Sequence, residues 1–192
     1  MTGLRALAVF GTAFLCGVAG IIALALFLNA PAEPRQAASP RTPVVLQALS
    51  EGLFVAPQID PWDMDEVMGR GIRTVIDLRP DGEAEGQPDS ALIGQLARNR
   101  TMRFAYVPIP HGEVPDAVVD RLAAVLAQNP GPILLYCRSG KRAARTWALA
   151  EAARPDGLSP EAIEARVIAV GQPVDDLSNR LRIRAARRAA SQ

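Results

Sequence analysis

A cysteine, a glycine and three cations stand together in Cys137-Arg138-Ser139-Gly140-Lys141-Arg142, at the end of the apolar run Ile133–Tyr136. A cysteine attacks as its thiolate, and a thiolate is favoured where amide N–H groups converge on it at a helix start, where the helix dipole adds positive potential. The same amides can hold a substrate anion. Gly140 suits the turn such a loop requires, and Arg138, Lys141 and Arg142 favour an anionic partner. Cys137 is thus the candidate catalytic nucleophile, with Arg138, Ser139, Gly140, Lys141 and Arg142 as the anion-binding loop. The competing reading of a lone cysteine is a small apolar core residue followed by a solvated basic helix start.

Other groups could assist. His111, Glu113 and Asp116 in HGEVPD are candidates for an acid or a substrate contact, although Pro115-Asp116 reads more readily as the start of a helix, where an acidic side chain complements the dipole. Arg79 could reach the anion or pair with Glu83 or Glu85. Asp77, inside a strand pattern, is expected to pair with an adjacent basic group. The sequence holds two cysteines, Cys16 and Cys137, and one histidine, so neither a disulfide scaffold nor a zinc site is expected. No metal and no cofactor are expected. Twenty-one Lys and Arg against 20 Asp and Glu give no excess for phosphate-backbone binding, and no nucleic-acid partner is expected.

The elements that must position these residues are readable in outline. Leu53–Gln58, Ile72–Leu78, Met102–Ile109 and Ile133–Tyr136 have strand character, and Pro61–Arg70, Ser90–Arg100, Pro115–Gln128 and Lys141–Ala153 have helical spacing and boundary signals. Strands alternating with helices predict an α/β three-layer sandwich with a mostly parallel sheet. Ligands of such sheets bind beyond the carboxyl ends of the strands, which selects the loops 79–89, 110–115 and 137–140. Trp147 is expected in the core and Trp62 against the sheet edge.

From Ala6 to Ala32 there is no charged residue over 27 positions, long enough for one membrane-spanning helix and longer than the apolar core of a cleaved leader. The expected organisation is an N-terminal transmembrane anchor at 1–29, a Pro/Ala-rich linker at 30–43, a catalytic domain at 44–182 and a basic tail at 183–192 that frays. Cys16 falls within the anchor as apolar filler. A slight positive-inside bias predicts a single-pass inner-membrane protein with its domain in the periplasm. Cleavage at Ala30-Pro31-Ala32 would instead release the domain.

The loop CRSGKR resembles the Cys-Arg-x-Gly-x-Arg/Thr loop of rhodanese sulfurtransferases. It is also similar to the tyrosine phosphatase signature, in which five residues separate Cys from Arg, but here that position is Ala143 and Arg142 comes one residue early. With RTVIDLRPDGE at 73–83, AYVPIP at 105–110 and GLSPEAIEARVIAVG at 157–171, the pattern resembles a bacterial family, the phosphatase-like domain of beta-lactamase hydrolase-like proteins. The resemblance implies a protein tyrosine phosphatase-like fold. It implies that Cys137 takes up either sulfur from a donor such as thiosulfate, as a persulfide passed to an external thiol acceptor, or the phosphoryl group of a small phosphate ester or phosphotyrosine. The short spacing favours sulfur transfer as the main expectation, with a cysteine-based phosphatase as the alternative and a non-catalytic anion-binding module as the second alternative.

Overall fold

The computed structural model describes residues 42–129 and 131–191. The predicted anchor and most of the linker, with Cys16, lie outside the described residues, and no helix among the described residues is long and apolar enough to cross a membrane. Residues from Thr42 onward form one compact unit.

Strands β1 (Gln47–Ser50), β2 (Leu53–Ala56), β3 (Thr74–Asp77), β4 (Arg103–Tyr106) and β5 (Ile133–Tyr136) form one sheet in the order β1-β2-β5-β3-β4. Only β1 is antiparallel, paired to β2 as a hairpin, whereas β2, β5, β3 and β4 run parallel. The apolar run Ile133–Tyr136 is therefore the central strand, and all four of its residues are buried, as a parallel strand covered on both faces requires.

The pleat sends alternate side chains to opposite layers. Val55, Ile76 and Leu135 pack with α3 (Asp116–Gln128), α4 (Lys141–Ala153), α5 (Pro160–Ala169) and α6 (Ser178–Ala190). Val75, Leu134 and Tyr136 pack with α1 (Met64–Gly69) and α2 (Ser90–Asn99). Trp147 is a core residue on α4, as expected, whereas Trp62, in the 3-10 turn Pro61–Asp63 that leads into α1, is 56% exposed. The sandwich predicted from the alternation of elements is the one observed.

Two elements differ from the expectation. β1 carries only a short, weakly alternating pattern, QALS, and pairs through an irregular register between Ala48 and Ser50, so its strand character comes from β2. The basic tail expected to fray from residue 183 is instead the body of α6, which continues to Ala190. Leu181 anchors that helix with no exposed surface, and Arg184 and Arg188 bond back to the domain.

Candidate functional site

Parallel strands end at one edge, and β5 delivers Cys137 there, directly after Tyr136. Cys137 is fully buried and is the free cysteine among the described residues. Gly140 caps α4 with φ 82°, a left-handed conformation that costs a residue with a Cβ about 1–2 kcal/mol. A Cβ there would also lie 3.4 Å from the carbonyl oxygen of Ala56. The glycine thus lets the loop turn tightly against the end of β2, and Gln58 N–H donates to Arg138 O at 3.3 Å to fasten it.

Among the described residues, the amide N–H groups from Arg138 to Ala143 donate to no backbone or side-chain acceptor, while Ala144 N–H makes the first helical bond, to Gly140 O. A loop closing on a helix start with these donors unspent is a candidate anion cradle. Cys137 is in the core, at the end of β5 where that loop begins.

Arg142 borders both. Its guanidinium lies beside Cys137, which helps to raise its pKa after the stronger effect of its hydrogen bond to Glu83. It donates through both terminal nitrogens to the two Glu83 oxygens, with Nη2 at 2.7 Å from Oε2, and through Nη1 to Ile109 O at 2.8 Å. Glu83 is also met by Arg79 Nε at 3.0 Å and by His111 Nε2 at 3.2 Å. Hydrogen bonding from Arg142 is the largest effect that holds the Glu83 carboxyl down to about 2, against the desolvation of its nearly closed position. One carboxylate therefore joins the loops after β3 and β4 to the first turn of α4.

The other candidates separate. Arg79 is buried and serves Glu83 and Gln58, with Nη1 at 2.9 Å from Gln58 Oε1, so it braces the site through Glu83. His111 is at the site but exposed. Asp116 is drawn away, bonded to Arg180 at 2.6 Å and Arg184 at 2.9 Å on α6. Those two arginines hold its pKa below the usual carboxylate range, opposite to the need of a proton donor. Glu113 also faces Arg180. Arg138, Ser139 and Lys141 are exposed around the cradle.

Asp77 does not pair with a basic side chain: its Oδ1 accepts the backbone N–H of Arg79 at 2.8 Å. Burial pushes its carboxyl up to about 6, partly offset by nearby Tyr136 and that N–H. Gln58 is the contributor that sequence reasoning missed, because a glutamine in a loop carries no signal of its own. Glu83 was visible only as a possible partner of Arg79, although RPDGE places a carboxylate in a turn at the functional edge. Among the described residues no cluster of three or more metal-ligating side chains occurs.

Comparison with known proteins agrees with this geometry. Residues 45–154 match the family described as beta-lactamase hydrolase-like protein, phosphatase-like domain. A beta-lactamase hydrolase-like protein of Xylella fastidiosa is 30% identical over 103 residues, which are 54% of this chain and 24% of that protein. The chain thus spans about a quarter of the length of this curated relative. A solved structure from Neisseria meningitidis, described as a candidate phosphatase, superposes with TM-score 0.61 at 30% identity and covers 70% of this chain and 94% of its own. Tk-PTP in its active form shares the fold, with TM-score 0.58 at 17% identity over 74% of this chain and 97% of that one. At that identity the Tk-PTP likeness shows a shared fold. With more than half of its length matched, the chain belongs to the phosphatase-like domain family of beta-lactamase hydrolase-like proteins.

Proposed function

We propose that this enzyme is a cysteine-dependent phosphatase acting on phosphate monoesters. The observation that carries the reading is the run of unspent amides that follows Cys137, with Arg142 held beside Cys137 by Glu83. In the proposed reaction the Cys137 thiolate attacks phosphorus and forms an S–P bond as the ester P–O bond breaks. The leaving oxygen takes a proton, and His111, at the mouth of the site, is the proposed donor. Water then attacks phosphorus, its proton returns to His111, and the S–P bond breaks to release phosphate and the thiolate. The amides of the loop and Arg142 stabilise the charge on the nonbridging oxygens. Because Cys137 is fully buried, substrate entry requires groups at its mouth to move, and Arg142 gives up part of its bonding to Glu83 as it takes up the anion.

Wild-type protein is expected to release nitrophenolate from p-nitrophenyl phosphate, and Cys137→Ser to abolish release while still binding vanadate. A wild-type protein that leaves this substrate intact defeats the proposal. Sulfur transfer remains a second reading because four rather than five residues separate Cys137 from Arg142. Incubation with thiosulfate followed by intact mass measurement separates the two: a gain of one sulfur atom, absent in Cys137→Ser and discharged by cyanide, marks the transferase. Binding of vanadate without either reaction marks the non-catalytic module.

The uncharged run Ala6–Ala32 supports a further proposal, that an N-terminal helix tethers the domain to the bacterial inner membrane on the periplasmic side. Alkaline phosphatase fused after Gln192 should then be active, and an inactive fusion at normal expression removes the periplasmic assignment.

A further inference from the structure

The loop that carries His111 is held at both ends by arginines from different parts of the chain. Where it leaves β4, Ile109 O accepts from Arg142 Nη1 at 2.8 Å, and His111 Nε2 stands 3.2 Å from Glu83 Oε1. Where it enters α3, Val114 O accepts from Arg180 Nη2 at 2.9 Å, while the same guanidinium meets Asp116 at 2.6 Å and Glu113 at 3.4 Å. Between these clasps Pro110–Glu113 are exposed, and Gly112 has φ 94°, so no burial of its own fixes that stretch.

Arg180 belongs to α6, beyond the matched family segment that ends at residue 154. Its helix is registered on the cradle's own helix. Arg145, one turn after Arg142 on α4, donates to Pro173 O at 2.8 Å and pairs with Asp176 just ahead of α6. Leu177 and Leu181 are buried beneath it. A partly shielded guanidinium whose Nη2 donates to both a main-chain carbonyl and a carboxylate holds a loop better than an isolated surface ion pair does.

We propose that Arg180 is a positioning residue: through Val114 O and Asp116 it sets the 110–113 loop so that His111 faces Glu83 and Arg142. α6 thereby becomes part of the functional apparatus of the domain. The effect on turnover rests on the phosphatase reading; the effect on the loop does not.

The test uses the full chain as wild type, R180Q, H111A and the double variant, each confirmed folded by circular dichroism. R180Q is expected to lower kcat/KM for p-nitrophenyl phosphate about 10-fold, the order of loss that a small misplacement of a reacting group produces. In the H111A background the same change should cost less than about 2-fold, because the residue through which it acts is gone. Backbone hydrogen exchange of the segment 110–114 should accelerate in R180Q. An equal cost in both backgrounds, an unchanged kcat/KM or unchanged exchange in 110–114 overturns the proposal. If wild type does not hydrolyse the ester, the phosphatase reading fails, and the exchange of 110–114 alone decides whether Arg180 holds the loop.

Discussion

Glu83 does at the scale of one side chain what the loop does with many amides. It neutralises one of the two arginines it joins, fixes both planes, and leaves the other positive charge at the mouth of the cradle. Arg79 has a side chain 6% exposed and Arg142 one 14% exposed, so removing their shared carboxylate leaves desolvated cations without compensation. The loss of one partner from a buried pair costs about 3–5 kcal/mol. Glu83→Gln should therefore lower stability by about 3 kcal/mol in urea unfolding and reduce kcat/KM through a larger KM, since Arg142 loses its fixed orientation. A variant with wild-type stability and KM would mean that the contacts of Arg142 to Ile109 O and Cys137 suffice to hold it.

The unit that makes the site is the passage from β5 to α4, and Gly140 is its least replaceable backbone position. Gly140→Ala forces a Cβ into a left-handed turn at 3.4 Å from Ala56 O, and should destabilise the fold by about 1–2 kcal/mol and weaken vanadate binding at least several-fold. Unchanged affinity, measured by calorimetry, would show that the turn relaxes without disturbing the amides. This passage was legible in sequence because strand, turn and helix each leave a strong local signature: ILLY, SG and KRAARTWALA. What was illegible depended on distance along the chain. The bond from Gln58 to Arg138 and the pairing of Glu83 with Arg142 join separate loops, and no spacing rule anticipates which acid meets which base. Likewise the arginines of α6 beyond residue 182 read as a fraying tail, since their charge suggests solvent until Asp116 and Asp120 appear opposite Arg184.

Among the described residues, the carboxylates displaced from their ordinary pKa fall into two opposed groups, and their balance predicts a stability maximum in mild acid. Asp77 has its folded-state pKa raised by burial, from 3.8 to about 6, so its contribution is full below about pH 4 and is lost as pH rises through 6. Glu83 is shifted the other way, from 4.5 to about 2, chiefly by Arg142, and its contribution is full above about pH 5 and lost as pH falls toward 2. Asp65, Asp116 and Asp176, lowered by Arg100, by Arg184 and Arg180, and by Arg145, share the sense of Glu83. The urea midpoint should thus be higher near pH 5 than at either pH 3 or pH 7.5. Asp77→Asn, which cannot ionise, should flatten the limb between pH 5 and 7.5 and leave the acid limb in place. A wild-type midpoint that climbs steadily from pH 3 to 7.5 would show that Asp77 is ionised at neutral pH without strain, with its charge met by Tyr136 and the Arg79 N–H.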